Sequence, residues 1–195
     1  MKKYLISFIF LTCLLPVLPV YGAEPLQRVQ EEVNKVLAVL RDTQLNDETK
    51  KEKIRAIYGE MFDENEFSRR TLGAHWGKLN PAQQQEFIPL FREVLERTYI
   101  NKILAYKNEK VAFVKQNMVS NNLAEVQTKV LTSSQEIPIN YRVILKDGPW
   151  KVYDVVIENV SLVLNYRSQF NSILAKTTPD EMLALLRKKA EEKQR

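Results

Sequence analysis

Between residues 110 and 158 the sequence changes period, and this stretch limits the fold more than any other. Helical spacing gives way to alternation. Leu123–Leu131 sets Ala124, Val126, Thr128 and Val130 on one face. Residues 137–146 set Ile139, Tyr141, Val143 and Leu145 against Asn140, Arg142 and Ile144. Residues 111–118 are apolar at their start, and a fourth extended segment spans 150–158. Only Asn121-Asn122, Ser133-Ser134 and Asp147-Gly148-Pro149 separate these segments. Such turns are too short for a crossover, so the four strands must form an antiparallel meander.

Helical patterns surround the meander. From Pro25 to Arg41, the apolar residues Leu26, Val29, Val33, Val36, Leu37 and Leu40 recur at three- and four-residue steps. Asn46 or Asp47 can cap a second helix bearing Ile54, Ile57, Tyr58 and Met61, and Asp63 can open a third that stops at Leu72-Gly73. Asn80-Pro81-Ala82-Gln83 combines a cap, a proline at the first helical position and a glutamine that can reach back. The helix it opens carries Phe87, Phe91, Val94, Leu95, Tyr99 and Ile103, with Pro89 expected to kink it. After the strands, a helix beginning near Ser161 gathers Leu162, Tyr166, Phe170, Ile173 and Leu174. Thr178-Pro179-Asp180-Glu181 opens the last, with Leu183, Leu186 and Ala190 inward. The expected fold is α+β and NTF2-like: helices over 25–106, a curved four-stranded antiparallel sheet over 110–158, and two helices over 161–193.

The ends bear on the compartment. Lys2 and Lys3, an apolar run over 4–15, Pro16, Pro19 and Val20-Tyr21-Gly22-Ala23 have the order of a secretory leader cut after Gly22. This predicts residues 1–22 as a leader and 23–195 as one domain exported to the periplasm. Cys13 is the only cysteine and falls in the leader, so the mature chain has no thiol for a disulfide, a nucleophile or a metal. The net charge of +5 falls by two with Lys2 and Lys3. That bias is too small and too scattered to argue for nucleic acid.

Catalytic patterns are sparse. His75 is the only histidine, and one histidine without cysteines makes no metal site. Asp154 and Glu158 share a period-two face with Val152 and Val156. Beside Tyr141 they are the candidates for a base, although Asp154 can equally pair with Arg142 across the sheet. Arg69-Arg70, Arg142 and Arg167 are the guanidinium groups suited to a phosphate, and mid-strand Arg142 is the best placed.

The run from Asp154 to Phe170, DVVIENVSLVLNYRSQF, closely resembles the C-terminal signature of the MlaC family of periplasmic phospholipid carriers, also called the toluene-tolerance family. Leu72-Gly73-Ala74-His75-Trp76, with Phe87, Phe91, Leu95 and Thr98-Tyr99, resembles a second family block. Asn159 stands where glycine is common, and asparagine tolerates left-handed backbone. The resemblance implies a non-enzymatic shuttle that buries acyl chains between sheet and helices, takes no cofactor or metal, and carries phospholipid as cargo. It further implies exchange between an outer-membrane lipoprotein–porin complex and an inner-membrane ABC transporter with an MCE-domain subunit, maintaining outer-membrane lipid asymmetry.

Under that reading the inward faces predict the lining residues. They are Phe91, Tyr99, Val111, Phe113, Val126, Val130, Tyr141, Val143, Trp150, Val152, Val160, Val163, Tyr166 and Phe170, with Arg142 as the headgroup candidate. Periodicity names the inward face but does not separate cavity wall from packed core. Two other readings stand beside it: a periplasmic lipoprotein chaperone, and a small secreted enzyme using Asp154 or Glu158.

Overall fold

The computed structural model describes residues 24–106, 109–146 and 148–191. The expected leader, Cys13 and Asp147 lie outside them. The order is α1 (Pro25–Arg41), α2 (Asp47–Met61), α3 (Glu64–Leu72), a 3-10 helix (Gly73–Lys78), α4 (Pro81–Ala105), β1 (Lys110–Ser120), β2 (Leu123–Leu131), β3 (Glu136–Leu145), β4 (Trp150–Ile157), β5 (Val160–Ser161), α5 (Leu162–Leu174) and α6 (Pro179–Glu191). The start signals act as written. Asn46 accepts from the Thr49 amide at 2.9 Å, and Asn80 and Gln83 close a reciprocal capping box. Thr178 and Glu181 close another at the start of α6.

The sheet is antiparallel in the order β1-β2-β3-β4-β5. It has five strands rather than four. Glu158 and Asn159, at φ 48° and 68°, make a two-residue turn, so the chain folds back for the short β5 before entering α5. Beyond β4, the edge is also covered where Phe62 bridges Val152 and the Asp63 amide donates to the Val152 carbonyl at 2.9 Å. β1 forms the other edge, and its pairing slips twice, leaving Val114 and Val119 as extra residues.

A third slip alters the site. Arg142 pairs with Asp154, yet Val143 pairs with Val152, so Tyr153 is a bulge residue. Strict alternation across β4 therefore fails. Val152 and Val155 share the inner face with Val143 and Tyr141, while Asp154 turns to the outer face with Arg142. The expectation that Asp154 lies beside Val152 is corrected for this reason, and Glu158 sits in the turn, not on a strand face. Leu145, expected inward, is 37% exposed because it lies at the end of β3.

Three apolar clusters result; the smallest joins Leu40, Ile54 and Ile100 of α1, α2 and α4, and the other two bear on the site. The inner sheet face packs on α1 through Val29 and Val33, together with Met61, Ala124, Val126, Val143, Trp150, Val152 and Val155. The helical cluster gathers Phe67, Phe87, Phe91, Val163, Tyr166, Phe170, Met182 and Leu183 from α3 to α6. Edge-to-face rings organise it: Phe91 lies 5.1 Å from Tyr166 and 5.4 Å from Phe170, and Phe87 lies 5.3 Å from Phe170. Phe62 and Leu162 pack against both clusters.

Gly73 ends α3 at φ 54°, ψ −124°, a conformation open to glycine alone. A Cβ there would also meet Arg167 Nε at 3.2 Å. Gly73→Ala should therefore destabilise the protein by about 2 kcal/mol. An unchanged urea midpoint would refute this.

Candidate functional site

The lining candidates divide between the two clusters. Val126, Val143, Trp150 and Val152 are buried in the sheet cluster, with half-buried Val111, Phe113 and Tyr141 packed against it. Phe91, Val163, Tyr166 and Phe170 are buried in the helical cluster, and Tyr99 is half-buried on its margin. Val130 is buried but belongs to neither cluster. Val160 departs from expectation. It is 53% exposed on β5, because the extra hairpin turns it away from the interior.

Full burial marks packed core, so the informative residues are apolar, inward and still accessible. Along the inner sheet face these are Val111, Phe113, Ile139, Tyr141 and Ile157, opposite Leu37 of α1 and Leu162 of α5. Tyr141 is the polar group among these. Burial alone pushes its phenol up to about 12, so the hydroxyl is enclosed by protein and cut off from bulk water. The residue nevertheless keeps intermediate solvent accessibility. Tyr141 is thus shielded by protein yet less closely packed than Val126 and Val143 on the same face. Tyr99 shows a similar combination: desolvation first, then neighbouring Tyr166 and the hydrogen bond between them, raise its phenol to about 12.

On the outer sheet face the charged residues form a structural network. Asp154, 1% exposed, accepts from Ser161 Oγ at 2.6 Å, the Val163 amide at 3.0 Å and Arg142 Nη1 at 3.1 Å. Ser161 in turn caps α5 by accepting from the Leu164 amide at 3.1 Å. Asp154 thus pins the start of α5 to β4, and both its oxygens are occupied by that task. Arg142 also reaches Glu125 at 3.4 Å. Being one residue from Tyr141 on the same strand, it points to the opposite face of the sheet, so its guanidinium does not meet the apolar inner face.

Sequence reasoning missed Ile139, Ile157, Leu37 and Leu162 as lining residues, although their periodicity placed Ile139 and Leu162 inward. It also missed the cleft formed by Arg70, Glu125, Arg142, Tyr153, Asp154 and Arg167, of about 430 Å³. These residues come from five elements remote in sequence, and the Tyr153 ring lies beneath Arg70, 4.1 Å from the guanidinium carbon. Among the described residues no group of acidic, histidine or cysteine side chains has the makings of a metal site, and no helix is long and apolar enough to cross a membrane.

Comparison with known proteins places this geometry in a family. The chain is 25% identical over 126 residues to the intermembrane phospholipid transport system binding protein MlaC of Haemophilus influenzae, an alignment covering 62% of this chain and 59% of that protein. It is 25% identical over 174 residues to the toluene tolerance protein ttg2D of Pseudomonas putida, covering 85% and 80%. A phospholipid-binding protein from Ralstonia solanacearum, solved in complex with a phospholipid, shares the fold with a TM-score of 0.80 at 24% identity, over 86% of this chain and 97% of that one. The family model described as MlaC protein matches residues 30–188. With this span, most of the helices and the whole sheet, the chain belongs to the MlaC family.

Proposed function

We propose that this protein is a periplasmic phospholipid carrier that holds acyl chains in the hollow faced by Tyr141. The observation that carries the reading is the Tyr141 ring, desolvated yet accessible, within an apolar border of Phe113, Ile139, Ile157 and Leu162. Family membership and the names of the relatives support the same cargo. Val111, Phe113, Tyr141 and Tyr99 are assigned to acyl contact, and the fully buried candidates to the walls behind them.

Energetics favour a carrier that unloads only on a partner. Two chains of about 16 carbons, at about 0.8 kcal/mol per methylene, hold the lipid against water by roughly 20 kcal/mol or more. Against a bilayer an apolar pocket is nearly isoenergetic, so exchange needs a shielded path and little driving force. On the family resemblance, we assign the partners as an outer-membrane lipoprotein–porin complex and an inner-membrane ABC transporter with an MCE-domain subunit, between which the carrier maintains lipid asymmetry. No catalytic group is required, and the ligation of Asp154 by Ser161, Val163 and Arg142 fits a structural role for it.

Mass spectrometry of the purified mature protein, native and then denatured, tests this directly. The expected result is stoichiometric phospholipid, released on denaturation. Protein that stays empty after incubation with phospholipid vesicles would sink the reading, and selective retention of an acylated peptide would favour a lipoprotein chaperone instead.

A further inference from the structure

The outer-face cleft has a charge balance that its own residues do not close. Its carboxylates are fully engaged: Asp154 by three donors, and Glu125 by Arg142 at 3.4 Å and Gln127 at 3.1 Å. Glu66, behind the cleft, takes both Arg69 and Arg70 at 2.7 Å. Arg167 differs. Its Nε donates to the Arg70 carbonyl at 2.9 Å and its Nη2 to the same oxygen, a neutral acceptor. Among the described residues it has no ion pair. One half-buried guanidinium is therefore held in fixed orientation with its charge uncompensated.

The rim supplies a second observation. Val119, 69% exposed, and Leu164, 53% exposed, flank the cleft mouth. Val119 is an extra residue in β1, and it follows Lys115 and Asn117 on the outer, cleft-facing side of the strand.

We propose that this cleft is a docking site for a protein partner that inserts a single acidic side chain, aspartate or glutamate, between apolar neighbours. One uncompensated cation matches one carboxylate, and the guanidinium fork suits it. A phosphate dianion would bring a second charge beside Asp154 and Glu125. A lipid phosphate would need its chains to continue inward, whereas Val119 and Leu164 offer their apolar surface outward. A peptide segment satisfies both features at once, its carboxylate meeting Arg167 and its flanking side chains covering the rim. The proposal rests on the carrier reading only in that a carrier must dock to exchange its cargo.

The test is NMR observation of the arginine Nε–H signals of the mature protein during titration with the peptide Ac-Leu-Glu-Leu-NH2. Controls are Ac-Leu-Gln-Leu-NH2, inorganic phosphate and phosphatidylglycerol vesicles. The Glu peptide should shift the Arg167 signal saturably, with the Gln peptide about tenfold weaker or more, as expected for loss of a charge-assisted hydrogen bond. Leu164→Ser, at an exposed position, should leave folding and lipid content unchanged and weaken the Glu peptide several-fold. Equal response to the two peptides, no response to either, or a stronger response to phosphate or vesicles would overturn the proposal. So would loss of lipid from Leu164→Ser, which would put the cleft inside the lipid site. Failure of the wild-type protein to hold lipid would instead count against the carrier reading and leave the peptide result standing.

Discussion

Alanine at Asp154 is expected to destabilise the protein by about 3–5 kcal/mol, the range found when one member of a buried charge pair is removed. The carboxylate is 1% exposed and serves three donors on three elements. Removing it leaves the Ser161 hydroxyl and the Val163 amide buried without their acceptor and frees the start of α5 from β4. Arg142→Ala should cost far less, because that side chain is partly solvated and its loss strips Asp154 of only one donor. Urea denaturation of both variants gives the comparison. Similar midpoints for the two would show that Asp154 does not anchor α5. A folded Asp154→Asn protein with normal lipid content would separate the anchor from any chemical role.

Tryptophan at Ile139 is expected to expel lipid while sparing the fold. Val126 and Val143 look like natural blocking positions from sequence, since both face inward. Their exposures of 0% and 1% show that no space adjoins them, so tryptophan there would overpack the core. Ile139 is half-buried beside Tyr141 on the accessible margin of the same face. An indole in the hollow would displace about two methylenes of acyl chain, at about 0.8 kcal/mol each, and so shift partition toward the bilayer by roughly tenfold. Lipid phosphorus per mole of protein after equilibration with vesicles measures the effect. Undiminished lipid in a folded Ile139→Trp protein would remove this end of the hollow from the site.

Much of the fold was legible because its signals are local. Asn46, Asp63, Asn80, Ser161 and Thr178 each sit where a cap is needed, and the structure uses every one. The alternation of β2 predicts its buried set, Ala124, Val126, Thr128 and Val130. What escaped depends on pairing between strands. The bulge at Tyr153 leaves no mark in the period of β4, yet it moves Asp154 to the other face of the sheet. The turn at Glu158-Asn159 was half visible, since Asn159 suits a left-handed backbone while Glu158 gives no such hint. The candidate site was legible as a direction and not as a space. Inward residues were named, but which of them back onto other side chains and which onto a hollow depends on how α1 and α5 close over the sheet.

The two irregular steps in β1 bear on how this molecule behaves among its own copies. A straight outer strand offers a continuous row of amides and carbonyls on which a neighbour can template itself. Here pairing is unbroken only over residues 110–113 and 115–118, and each run ends where an added residue throws the next out of line. A second molecule approaching this border finds two short footholds that do not share one register. Edge-to-edge pairing, the hazard of any sheet left open on one side, is thereby disfavoured.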